Sequence, residues 1–162
     1  MKELLDKLTS YNLFNYLLPG IIFVALVSKL THYSFIQQDI IIGLFFYYFI
    51  GLVISRFGSL VVEPFLKQIS FVHFANYKDF VSAAKSDEKI ELLTEANNTY
   101  RTLCSMLVLL IVMKAVEVLE IKCPVLKKGN MVTAIILLLA LFLFSYRKQT
   151  KYILSRIIIQ HK

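Results

Sequence analysis

Lys114 and Glu117 stand three residues apart in an otherwise apolar stretch, a spacing that puts an ammonium and a carboxylate on one face of a helix. Such a pair can line a watery path, or it can anchor a helix end by reaching outward to the membrane surface. A span beginning at Thr102 meets the far interface near Glu117 and Glu120, which favours anchoring over pore lining. A second group is cationic: Arg147, Lys148, Lys151 and Arg156 follow one another with no acid between them. Cations placed so close to a membrane span suit an anionic partner, either lipid headgroups or a nucleotide or short oligonucleotide. The third feature is Pro19-Gly20, a third of the way into an apolar run. Proline frees a backbone carbonyl and bends a helix, either as a packing kink or as the hinge of a gate. Pro19, Gly20, Lys114 and Glu117 are the gate candidates; Arg147, Lys148, Lys151 and Arg156 are the candidate anion-sensing residues.

Nothing in the chain reads as a catalytic centre. His32, His73 and His161 are far apart, and there is no His-x-x-x-His, Gly-x-Ser-x-Gly or glycine-rich phosphate loop; five glycines leave little room for one. Cys104 and Cys123 form no CxxC, and Cys104 reads as a satisfied, inert thiol within a span. No enzymatic activity, metal or cofactor is expected.

The elements that must position these residues are membrane spans. Residues 8–28, 40–55 and 129–146 carry no charged side chain, and a weaker apolar run follows Arg101. Roughly 20 helical residues cross a hydrocarbon core of about 30 Å. The fold class is therefore an all-α integral membrane protein with four transmembrane helices. Residues 1–66 hold the first helix pair and its N-terminal segment, and 67–100 a cytoplasmic helical segment. Residues 101–146 hold the second pair, and 147–162 a basic tail expected to lie at the membrane surface. The first span is expected to be retained, since Lys2 and Lys7 are balanced by Glu3 and Asp6.

Local signals refine this outline. Ser10-Tyr11-Asn12 can cap the first helix, and Pro64 is expected to interrupt the second. Ser86 followed by Asp87-Glu88 reads as the start of one helix of about 34 residues, rising from the cytoplasm into the third span. Arg56 and Glu63 fall on nearly one face, as independent solvated charges or with Glu63 paired to Arg101. The aromatic cluster at residues 45–49 suits lipid or neighbouring helices.

Thirteen of the 18 Lys and Arg residues lie on the side shared by both termini and the middle segment, which places that side in the cytoplasm. The net charge of +7 is concentrated in the tail and in residues 121–129, while the segment from Arg56 to Arg101 nets zero.

The strings Leu13-Phe14-Asn15-Tyr16-Leu17-Leu18-Pro19-Gly20 and Ser145-Tyr146-Arg147-Lys148-Gln149-Thr150, in a four-span chain of this size, resemble small membrane proteins of bacterial anti-phage operons. One such family is the channel-forming effector of the Hailong system; a second is the membrane subunit of the Kiwa system. The first resemblance implies a homotetramer in the bacterial inner membrane, opened by a nucleic-acid signal from an operon-encoded nucleotidyltransferase. The second implies a membrane subunit paired with a cytoplasmic DNA-binding partner protein; the alternative function is accordingly a non-conducting sensor or anchor, with residues 67–100 as the docking segment read from the sequence. No ligand residue is carried over from either family.

Overall fold

A computed structural model describes residues 12–123 and 130–160. They form five helices: α1 (Leu13–Leu30), α2 (Ile40–Gln68), α3 (Tyr77–Ser86), α4 (Lys89–Lys122) and α5 (Asn130–Gln160). Four of these, α1, α2, α4 and α5, are long and apolar enough to cross a membrane. The chain is thus an all-α, multi-pass membrane protein. Helix α4 runs unbroken for 34 residues, roughly 50 Å, in agreement with the length read from the sequence.

The helix ends differ from the expected caps. Ser86 closes α3, donating its hydroxyl to the Ser82 carbonyl, and it is the Asp87 carboxylate that accepts the Lys89 N–H at 2.9 Å to start α4. Asn12 is already helical and makes no capping bond; Ser10 and Tyr11 lie outside the described residues. Asp39 caps α2 by accepting the Ile42 N–H at 2.9 Å. Helix α2 ends in a Schellman arrangement, with Phe71 N–H bonded to Leu66 O and Ser70 N–H to Lys67 O. Ser70 occupies the left-handed position at φ 58°, where glycine is usual.

Both proline-bearing helices use one device. Each contains a five-residue π-helical turn, Leu13–Leu17 in α1 and Gly58–Val62 in α2, and each turn ends two residues before a proline, Pro19 or Pro64. Proline has no N–H and collides with the carbonyl four residues back; widening the preceding turn moves that carbonyl aside. The expected interruption at Pro64 therefore does not occur, and α2 continues to Gln68.

Helices α1 and α2 meet backbone to backbone. A Cβ added to Gly20 would overlap the Tyr47 carbonyl oxygen, and one added to Gly51 would overlap that of Tyr16. Pro19 and Gly20 are thus buried inside a tight crossing of two helices. Helix α4 packs into the groove of this pair, and Phe23 and Val27 of α1, Ile54 of α2 and Met106 of α4 form the apolar centre. Helix α5 lies outside that three-helix unit, touching α2 through Phe142 against Phe49, and none of its described residues is fully buried.

The basic tail is the continuation of α5 itself. No break separates the span from residues 147–160. Tyr152 meets Tyr77 of α3 at a ring separation of 5.4 Å. Cys104 is exposed on the outside of the bundle, not packed within it.

Candidate functional site

Polar groups collect at three levels of the bundle. The first is a charged junction at the end where α2 leaves the membrane. Glu63, only 8% exposed, receives Arg101 Nη1 at 2.7 Å and Lys67 Nζ at 3.0 Å, and Lys148 Nζ lies 3.7 Å away. The conjectured pair of Glu63 with Arg101 is formed, and it draws α2, α4 and α5 to one carboxylate. Burying a carboxylate is costly unless cations and hydrogen bonds replace its water.

Lys148 does more than face Glu63. Its ammonium donates to the Ser59 carbonyl at 2.7 Å and to the Ser59 hydroxyl at 2.8 Å. In the π register the Ser59 carbonyl would be served by the residue five positions on, and that residue is Pro64, which has no N–H. The lysine of α5 thus fills a bond that the proline of α2 leaves open. Pro64 and Lys148 are 84 positions apart, and only the fold shows that they serve one carbonyl.

The second level is uncharged and fully enclosed. Thr102 Oγ1 lies 2.8 Å from Asn15 Oδ1, 3.3 Å from Ser55 Oγ and 2.9 Å from the Asn98 carbonyl. A hydroxyl has one proton, so Thr102 donates to one of the two carbonyl oxygens, and Ser55 is placed to donate to Thr102. Ser105 donates to the Arg101 carbonyl at 2.6 Å and lies against Gly58. Asn15, Ser55, Thr102 and Ser105 join three spans, and the only hint in the sequence was a few small polar residues in otherwise apolar runs.

The third level closes the opposite end. The His32 N–H donates to Glu117 Oε1 at 2.7 Å, and its Nδ1 lies 2.8 Å from the same oxygen; its Nε2 stands 3.7 Å from Glu120 Oε2. Lys114 pairs with Glu117 as the spacing predicted and also donates to the Leu30 carbonyl at 2.8 Å. These bonds clip the α1–α2 link onto the end of α4. Lys114 and Glu117 therefore act together as a tie between helix ends.

Beside this clip, burial together with the carboxylates of Glu120 and Glu117 pushes the Tyr33 phenol up to about 12. The folded state holds the phenol's proton more tightly than the unfolded chain, so this contribution to stability is complete below pH 10 and fades as the pH rises towards 12. In an alkaline absorbance titration of the nine tyrosines, Tyr33→Phe should remove the part of the phenolate signal that appears near pH 12. Loss of amplitude near pH 10 instead, with the signal near pH 12 intact, would mean that the clip does not enclose this hydroxyl.

The four sensing candidates are divided by the fold. Arg147 and Lys151 are exposed, Lys148 turns inward to Ser59 and Glu63, and Arg156 lines a cleft of about 330 Å³ with Lys85, Glu91 and Glu95. That cleft carries both signs of charge. Among the described residues no group of His, Cys, Asp and Glu could hold a metal ion; His161, Lys127 and Lys128 lie outside the described residues. Compared with protein-family models, curated proteins and solved structures, the chain matches none.

Proposed function

We propose that this chain is a gated membrane effector of bacterial anti-phage defence, a homotetramer in the inner membrane with both termini in the cytoplasm. The observation that carries the reading is the bond from Lys148 to Ser59. It ties the basic end of α5 to the irregular turn of α2 and to the charges around Glu63. An anionic nucleotide or nucleic acid held by Arg147 and Lys151 would draw α5 outward and expose polar groups that the closed bundle keeps inside. Helix α5 suits such movement because it is the least buried of the spans. The resemblance of residues 13–20 and 145–150 to the Hailong effector family supports the same reading, and the excess of cations on one side supports the orientation.

A second reading has its own support. The outward faces of the spans are apolar, and the cleft between α3, α4 and the end of α5 offers a cytoplasmic docking surface with exposed Leu92 and Leu93 nearby. A non-conducting sensor or anchor for a DNA-binding partner would need no more than this.

Planar-bilayer conductance separates the two. Addition of short DNA oligomers or cyclic nucleotides to the purified protein is expected to evoke current. Replacing Arg147, Lys148, Lys151 and Arg156 together by Gln is expected to abolish it. A current that survives the fourfold change would make the tail a lipid anchor only. A silent bilayer with an assembled oligomer would favour the anchor.

A further inference from the structure

Around Glu63 the charges do not balance. Arg56, Lys67, Arg101 and Lys148 gather at the junction of α2, α4 and α5, and among the described residues Glu63 is the one carboxylate within 4 Å of any of them. Arg56 is the least satisfied: its guanidinium reaches the Tyr16 hydroxyl at 3.4 Å and is not ion-paired with a described carboxylate. A half-buried guanidinium beside a membrane span is costly to leave without an anion.

Next to Arg56, α2 and α5 border a small cavity of about 30 Å³, lined by Arg56, Ser59, Leu60, Ser145, Lys148, Gln149 and Tyr152. All of these side chains except Leu60 can donate a hydrogen bond, and none carries a negative charge. The Ser145 hydroxyl is buried and has no partner among the described residues. The cavity has room for about one water-sized group, too little for a base or a sugar. Two cations, three hydroxyls and an amide around one such space match an anionic oxygen whose remaining atoms stay outside.

We propose that this groove binds a phosphate group, with Arg56 and Lys148 opposing its charge and Ser145 donating to one oxygen. The phosphate comes either from an anionic lipid headgroup or from a soluble phosphate ester. This deepens the anion-sensing reading and rests on it for what binding would trigger. It moves the recognition point from the exposed face of α5 to the seam between α5 and α2.

The test uses the full-length protein in neutral detergent, with bound lipid counted by native mass spectrometry. Phosphatidylglycerol, phosphatidylcholine and inorganic phosphate are added in turn to wild type, Arg56→Gln, Ser145→Ala and Lys78→Gln, the last removing an exposed cation of α3. Wild type and Lys78→Gln are expected to bind phosphatidylglycerol alike. Arg56→Gln should weaken binding at least tenfold and Ser145→Ala severalfold, with both variants folded by circular dichroism. Competition by inorganic phosphate would mark the soluble source, and its failure to compete the lipid source. Equal binding by wild type and both groove variants, or no selectivity for phosphatidylglycerol over phosphatidylcholine together with no phosphate binding, overturns the proposal. Binding is read without current, so a silent bilayer beside an intact, Arg56-dependent site would sink the gating reading and leave the site standing.

Discussion

Gly51→Leu should destabilise the protein severely. The Cβ alone would overlap the Tyr16 carbonyl, so the clash is with backbone and cannot be relieved by a rotamer change. Helices α1 and α2 must separate, and with them the contacts of Phe23 and Val27 with Ile54. Overpacking of a core usually costs about 1–3 kcal/mol, and a clash between two backbones belongs at or above the upper end. A folded membrane protein holds only about 5–15 kcal/mol in reserve if it resembles soluble domains of similar size. The variant is therefore expected to lose its single peak in size-exclusion chromatography and to unfold at far lower denaturant. Gly43→Ala is the control. Its Cβ would meet nothing nearer than a Tyr47 ring carbon at 3.4 Å, so stability should stay within about 0.5 kcal/mol of the parent. Equal stability of the Gly51→Leu variant and the parent would mean that the two helices do not cross at these glycines.

Glu63→Gln is expected to be the most damaging change of a single charge. It preserves shape but leaves Arg101 and Lys148 facing one another with no carboxylate between them. Removing one partner of a buried ion pair costs about 3–5 kcal/mol, because the other charge stays behind. Denaturant unfolding in detergent would read this as a shift of midpoint. Pairing Glu63→Leu with Arg101→Met should recover part of the loss, since the Arg101 charge goes with its partner and Lys148 keeps its bonds to Ser59. If Glu63→Gln unfolds at the parent midpoint, water reaches this carboxylate and the junction is not an enclosed one.

Much of this architecture was legible in the residues. Three charge-free runs and a fourth apolar stretch are a matter of length against bilayer thickness, and an unbroken run without Pro or Gly from Lys89 to Lys122 is one long helix. The pairing of Lys114 with Glu117 follows from helical spacing alone. The clip that holds them did not follow, because His32 lies 85 positions from Glu117 and meets it only after the helices pack. Pro64 misled for a local reason. A proline reads as a stop unless the preceding turn is known to widen, and Gly58-Ser59-Leu60 carries no mark of a π turn. The bond between Asn15 and Thr102 was not legible, because a hydrogen bond across 87 positions leaves no periodicity. In the tail, the absence of any helix breaker between Tyr146 and Gln160 accounts for a helix that continues from the last span.

The sparse packing of α5 also bears on how the chain is built during synthesis. Helices α1, α2 and α4 already contain the glycine crossing, the enclosed Asn15–Thr102 bond and the Glu63–Arg101 pair, so they can reach nearly their final arrangement while the fourth span is still unmade. Helix α5 then arrives as a late addition, guided by Lys148 to a carbonyl that the earlier helices leave waiting. A chain truncated after α4 should insert and persist as a three-helix intermediate, and the final span is the one piece that can be lost and regained without dismantling the rest.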